Sequence, residues 1–187
     1  MTLQEIYEIE RDKWDRVAGQ SVAGLKALPP DENFYTYAER ASTMVGVREF
    51  LADLRGKRVL EYGCGLGESI VRLAKAGAEV TTFDLSPKSV MVSRARAKLN
   101  HVDSCVRPTV AGGEFLPYAD ESFDIIFGSA ILHHLDANLG WSDVKRVLKA
   151  RGKAVFVEPM GMIPVLNFVR DYVPCPHKKS AAGQLMP

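Results

Sequence analysis

Three cysteines in 187 residues, Cys64, Cys105 and Cys175, are too few and too scattered for a disulfide framework. None forms a C-x-x-C pair, so a zinc site built on thiolates is not expected either. No apolar run approaches the roughly 20 residues that cross a bilayer. The N-terminus, with Thr2, Gln4 and Glu5, has none of the basic and apolar order of a signal peptide. No charge of one sign prevails: Lys plus Arg number 24 against 23 Asp plus Glu, so no net field draws the chain to nucleic acid or an anionic membrane. The short basic run His177, Lys178, Lys179 reads as a solvated tail. Repeats and low-complexity tracts are absent as well. These exclusions point to a cytoplasmic protein of ordinary globular composition, 47% hydrophobic and 25% charged. Its length suits one domain with a full core.

What is present is an alternation of strand and helix signals. The spacing of Leu3, Ile6, Tyr7, Trp14 and Val17 predicts an amphipathic helix over 2–18, followed by a loop over 19–31. A second helix is expected from Tyr35 or Thr36 to Leu54. Strands are then predicted over 58–62, 79–84, 105–110, 123–128 and 153–158. Helices are predicted between them over 67–76, capped by Gly77, and over 87–100, opened by Ser86 and Pro87. A helical stretch over 130–150 carries a break near 138–140, and a last helix is expected over 163–172. Strand–helix alternation of this kind predicts a doubly wound, Rossmann-like, mainly parallel α/β sheet.

The most informative segment is VLEYGCGLGE, from Val59 to Glu68. An apolar strand runs into Glu61, and Gly63, Gly65 and Gly67 follow before a helix starts. Glycine lets backbone approach a ligand closely and take positive φ. Dinucleotide dehydrogenases use G-x-G-x-x-G to aim a helix N-terminus at a pyrophosphate. Here the spacing is G-x-G-x-G, with Glu61 before it and Glu68 after. Two carboxylates repel a pyrophosphate and suit a ligand bearing an ammonium and a sulfonium. Asp84 closes the second strand 21 positions beyond Gly63, where such folds place an acid on ribose hydroxyls. The plainer reading is a carboxylate favoured at the N-terminus of the following helix; position and spacing favour the ribose role.

These features resemble motif I and the following motifs of the class I S-adenosylmethionine-dependent methyltransferases, the type 11 small-molecule group in particular. The resemblance runs from about Arg58 to Pro159 through five stretches in order. It implies S-adenosylmethionine as cofactor, strand order 3-2-1-4-5, and an N-terminal helical lid over 1–54 above a cofactor core over 55–159. It implies cofactor contacts from Glu61, Gly63, Cys64, Gly65, Asp84 and Leu85. AGGEFLPY, from Ala111 to Tyr118, resembles the loop after strand three, with Gly112 or Gly113 where relatives often have an aspartate. Gly113, Glu114 and Phe115 are therefore expected near adenine. FDIIFGSAILHHL, from Phe123 to Leu135, resembles motif IV and puts Ser129 with Gly128 beneath the sulfonium. His133 and His134 are the candidate catalytic bases, and each is also open to a packing role. Ala130 and His133 stand where a Glu-x-x-Glu-His metal pattern has its glutamates, so no metal is expected. Glu158 is open to two readings, a holder of a substrate amine or a solvated strand end. Tyr7, Trp14, Tyr35 and Tyr37 are the aromatic candidates for lid contacts.

Two departures qualify the resemblance. The family adds two further strands after the fifth, and the proline-rich segment 160–187 does not accommodate them: either the sequence is a piece of a longer chain, or strand five is an edge that self-association or a local segment is expected to cover. No Asn/Asp-Pro-Pro-aromatic run follows strand four, so the expected acceptor is a small molecule rather than a nucleic-acid base. The alternative function is a non-catalytic or partner-dependent cofactor-binding subunit. A nicotinamide oxidoreductase is disfavoured by the glycine spacing.

Overall fold

A computed structural model of the protein describes residues 2–158 apart from 42, 43, 45 and 136, with only the backbone described for 137–139. Five parallel strands form one sheet: β1 (Arg58–Tyr62), β2 (Glu79–Asp84), β3 (Val106–Val110), β4 (Phe123–Ser129) and β5 (Leu148–Val157), in the order β3-β2-β1-β4-β5. The order reverses between β1 and β4. At that switch point the loops leaving the two strands turn apart and open a crevice at the carboxyl edge. Six α-helices among the described residues accompany the sheet: α1 (Leu3–Ser21), α2 (Phe34–Arg40), α3 (Val47–Leu51), α4 (Glu68–Lys75), α5 (Pro87–Leu99) and α6 (Ala137–Val147).

Both sheet faces are covered, as the nearly continuous apolar runs of β1 and β4 require. Val59, Val80, Ile125 and Phe127 pack on one face against Ile70, Val71 and Leu73 of α4 and against Phe34 and Leu51 from the N-terminal helices. Leu60, Tyr62, Phe83 and Ile126 face the other way, under Leu116, Val144 and Val147. Burying each such side chain contributes about 1.5–3 kcal/mol. The sheet is thus a rigid platform, and what varies is the chain at its edge.

Local signals explain the helix ends. Thr2 caps α1 in a reciprocal pair with Glu5. Ser86 caps α5 ahead of Pro87. Gly77 and Ala78 donate to the carbonyls of Ala74 and Leu73, closing α4 as its sequence suggests.

Four expectations are corrected. The single helix expected up to Leu54 is two, because Ala41 turns extended and Gly46 takes φ +82° before α3 begins. The helix expected over 130–150 breaks earlier than 138–140. Ala130 adopts φ +54°, a short 3-10 turn covers Leu132–His134, and α6 follows. Strand five starts at Leu148 instead of Lys153, its register with β4 slipping between Phe123 and Ile125. Helix α1 also runs a turn further than expected, to Ser21. The helix expected over 163–172 and the question of further strands lie outside the described residues.

Candidate active site at the carboxyl edge

The glycine loop after β1 is held by backbone bonds. Cys64 N–H donates to the Phe83 carbonyl at 2.8 Å, and Gly67 N–H closes back on the Cys64 carbonyl at 2.8 Å. Gly65 N–H donates to Asp84 Oδ2 at 2.9 Å. From outside, the buried Arg96 clamps the Leu66 carbonyl at 2.7 Å. Gly67 takes φ +80°, and a Cβ there would lie 2.8 Å from the Ser93 backbone, so only glycine fits. Gly65 takes φ +46° with nothing within 4 Å of where its Cβ would be. That open space belongs to the crevice.

Asp84 therefore does two things. Its Oδ2 holds the Gly65 amide and its Oδ1 accepts Ser86 N–H at 2.9 Å. The Cys64 thiol also lies 3.8 Å from Oδ2; a carboxylate has about four lone-pair sites, so the set is only partly filled and can accept ligand hydroxyls. Burial raises its carboxyl, against the pull of the Ser86 and Gly65 amides.

Helix α1 lies across the crevice. Tyr7 donates its hydroxyl to Glu114. Asp15 accepts from Ser86 and from the Lys88 amide at the start of α5. Between these two anchors, Glu10 and Trp14 form part of the crevice wall. The remainder of that wall includes Gly63, Gly65, Phe83, Asp84, Leu85, Ala111, Gly113, Ser129, Ile131 and His134, around about 90 Å³ of room. A larger open hollow of about 650 Å³ lies at Asp120, Lys145, Arg146 and Lys149, beside the start of β5 and remote from the glycine loop. Its lining is charged surface. Among the described residues no group of three or more His, Cys, Asp or Glu is placed to hold a metal.

Six of the ten expected cofactor residues thus reach the wall: Gly63, Gly65, Asp84, Leu85, Gly113 and Ser129. Four do not. Glu61 is buried on the α4 side of the sheet, accepting from Thr82 Oγ1 at 3.0 Å, and burial pushes its carboxyl up to about 8. It braces the strand beneath the loop. The Cys64 side chain is buried behind the loop, where desolvation raises its thiol. Glu114 is turned to Tyr7, and Phe115 is 64% exposed on the outside.

The two histidines face different ways. His134 lies on the crevice wall, in edge contact with Trp14 at 6.1 Å. Its buried Nδ1 is 3.1 Å from Glu10 Oε2 but off the hydrogen-bond direction. His133 stacks on it at 4.1 Å and points outward, with Nδ1 2.7 Å from Glu158 Oε2. Glu158 Oε1 meanwhile accepts the amides of Ile131 and Leu132 at 2.8 and 2.9 Å. Burial alone would raise the Glu158 carboxyl. His133 and the two amides outweigh it and hold the group below its ordinary value. Glu158 is thus an internal brace for the turn after β4.

The comparisons with known proteins agree with this geometry. Residues 60–156, more than half of the chain, match the methyltransferase domain family. The chain belongs to that family. A methyltransferase of this kind from Actinopolyspora halophila, a glycine/sarcosine/dimethylglycine N-methyltransferase, is 30% identical over 134 residues, covering 70% of this chain and 23% of the relative. An O-methyltransferase from Aspergillus nomiae is 31% identical, covering 72% of this chain and 60% of the relative. Among solved structures, an S-adenosylmethionine dependent methyltransferase from Mesorhizobium loti aligns with TM-score 0.56 at 27% identity, over 64% of this chain and 54% of that one. The chain spans less than two thirds of each of these methyltransferases. The Rossmann-like fold and strand order expected from the sequence stand.

Of the aromatic candidates, Trp14 lines the crevice, and Tyr7 sits beside it as the anchor of α1 on Glu114. Tyr35 and Tyr37 do not: Tyr35 bonds to Ala52 and Leu54, and Tyr37 carries the Arg72 guanidinium at 3.9 Å. Glu10 was not foreseen. Its signal is an acid inside the apolar stripe of α1, three residues after Tyr7 and four before Trp14.

Proposed function

We propose that the chain binds S-adenosylmethionine in the crevice beneath α1 and transfers its methyl group to a small-molecule acceptor. The observation carrying this reading is the glycine loop clipped by Asp84, which leaves carboxylate lone pairs and the open side of Gly65 facing one crevice. In this reading Asp84 accepts the ribose hydroxyls, Leu85 and Phe83 present apolar surface to adenine beside Gly113, and Ser129 lies beneath the sulfonium. The wall carries two carboxylates, Glu10 and Asp84, and no Lys or Arg among its described residues, which suits a cation. About 90 Å³ is well below the roughly 300 Å³ of a pocket enclosing a ligand of this size. Helix α1 must therefore yield when the cofactor binds, as a lid over 1–54 would.

The bound cofactor supplies a methyl group already activated by a positive sulfur. The protein's share is positioning, which can contribute several kcal/mol, and removal of one proton from the acceptor. His134, on the wall, is placed for that proton, and His133 with Glu158 holds the turn that carries it. We place the reaction in the cytoplasm; no described helix is long and apolar enough to cross a membrane. The second reading is a chain that binds cofactor but needs a partner to complete the acceptor site.

Calorimetric titration with S-adenosylhomocysteine tests the first reading. Micromolar binding is expected, weakened at least about 10–100-fold by Asp84→Ala, since one charged hydrogen bond is worth about 1.5–3 kcal/mol. Turnover of acceptors separates it from the second. Absence of binding would contradict both.

A further inference from the structure

The loop after β3 reaches the crevice wall at Gly113 and is fastened from α6. Ala111 opens it with an N–H on the Asp84 carbonyl at 3.1 Å. Beyond Ala111, the loop backbone meets other elements only through their side chains, among the described residues. The Tyr62 hydroxyl donates to the Gly113 carbonyl. Asp143 Oδ2 accepts the Leu116 amide. Arg146 donates to the Leu116 carbonyl at 2.9 Å and to the Tyr118 carbonyl at 2.6 Å.

The two α6 side chains are also locked to each other. Arg146 Nε lies 2.9 Å from Asp143 Oδ1, and Nη2 lies 3.1 Å from Oδ2. An exposed ion pair ordinarily contributes little. This one is bidentate, and its further donors and acceptors go to the loop. Both backbone groups of the buried Leu116 are satisfied by it, as a neighbouring strand would satisfy them. Packing holds the crevice end of the loop as well. A Cβ on Gly113 would lie 2.7 Å from Leu135 and 2.9 Å from Tyr62, so the backbone is pressed against both. Tyr62 belongs to β1, and Asp143 and Arg146 to α6. Their hold persists when α1 yields, whereas the Tyr7–Glu114 bond goes with the helix.

Neither Gly112 nor Gly113 offers a side chain to a base. Adenine seated beside Gly113 is therefore read by groups whose places follow the course of the loop backbone. Resting on the cofactor reading above, we infer that Asp143 and Arg146 are positioning residues for adenine recognition, holding the loop where it reads the edge of the base without touching the cofactor themselves. They grip Leu116, three residues beyond Gly113, so releasing either frees this wall of the crevice while the sheet beneath is untouched. A pair that served only the fold would weaken all ligands alike. A pair that places the loop changes which base is preferred, because a site that hydrogen-bonds an amino group rejects an analogue lacking it.

S-adenosylhomocysteine and S-inosylhomocysteine, which carries an oxo group in place of the adenine amino group, test the inference by calorimetric titration. The parent chain is expected to prefer the adenosyl ligand at least ten-fold. Asp143→Ala and Arg146→Met should each weaken that ligand at least ten-fold and the inosyl ligand less than three-fold, bringing the two affinities close together. Arg146→Lys keeps the charge but cannot span Asp143 and two carbonyls. It should lower the preference about three-fold, and it keeps the test valid should Arg146→Met fold poorly. Equal loss for both ligands in the variants would overturn the inference, as would a parent chain that binds both alike; either result leaves the cofactor reading standing. Failure of S-adenosylhomocysteine to bind the parent chain removes that reading as well.

Discussion

The loop after β1 and the turn after β4 border the same crevice but are held by different means. The first is fixed by backbone: positive φ at three glycines, an amide on Asp84 and carbonyls on Arg96 and Gly67. The second is fixed by side chains, with Glu158 gathering two amides and His133 and the His134 imidazole stacked behind. A backbone-held site tolerates almost no substitution. A side-chain-held site can be rebuilt with other residues. This fits a division in which the β1 loop serves an invariant cofactor and the β4 turn a variable acceptor.

The sharpest way to break the contrast is a pair of glycine variants. Gly67→Ala places a methyl 2.8 Å from the Ser93 backbone at positive φ, and a loss of about 3 kcal/mol in urea unfolding is expected. Gly65→Ala meets no atom within 4 Å and should cost only about 1–2 kcal/mol of backbone strain, yet abolish S-adenosylhomocysteine binding by filling the crevice. Equal stability losses, or retained binding in Gly65→Ala, would remove the distinction between a packing glycine and a ligand-facing one.

Glutamates on the two sides should give opposite pH slopes. Glu61 is raised to about 8 by burial, so between about 4.5 and 8 the folded chain holds a proton that the unfolded chain has lost. Stability should fall across that window as pH rises, and Glu61→Gln should flatten the fall in thermal melts. Glu158 is depressed, so its contribution is full above the ordinary glutamate value near 4.5 and is lost as pH falls through its lower folded value. Glu158→Gln keeps an oxygen for the Ile131 and Leu132 amides but gives up the charge toward His133. The smallest of these effects is therefore expected here: a weaker decline of stability in acid than in the parent chain, together with an altered pH profile of methyl transfer if His133 supports His134. An unchanged acid limb would show that the Glu158 charge contributes nothing to the turn.

How much of this was legible in the sequence follows the same division. The ends of β1 and β2 and the Asp84 position could be read directly, because glycine spacing and a strand-end acid have few substitutes. The helix expected to reach Leu54 failed at Ala41, which turns extended after α2, and at Gly46, whose left-handed backbone precedes α3. Glu61 was read as a ligand group because the sequence cannot show which face of β1 it takes. Its register partner Thr82 draws it to the α4 side. Glu158 and Glu10 were unreadable for another reason. Their partners lie 25 and 124 residues away, at His133 and His134, and only the topology brings them together.

The most direct test is a crystal structure of the chain grown with S-adenosylhomocysteine. The account predicts the ribose hydroxyls on Asp84, the sulfur above Ser129 near Gly63, and α1 displaced from its present position to admit the ligand. A nucleoside bound elsewhere, or an Asp84 carboxylate that keeps only its Gly65 and Ser86 amides with the ligand present, would contradict it.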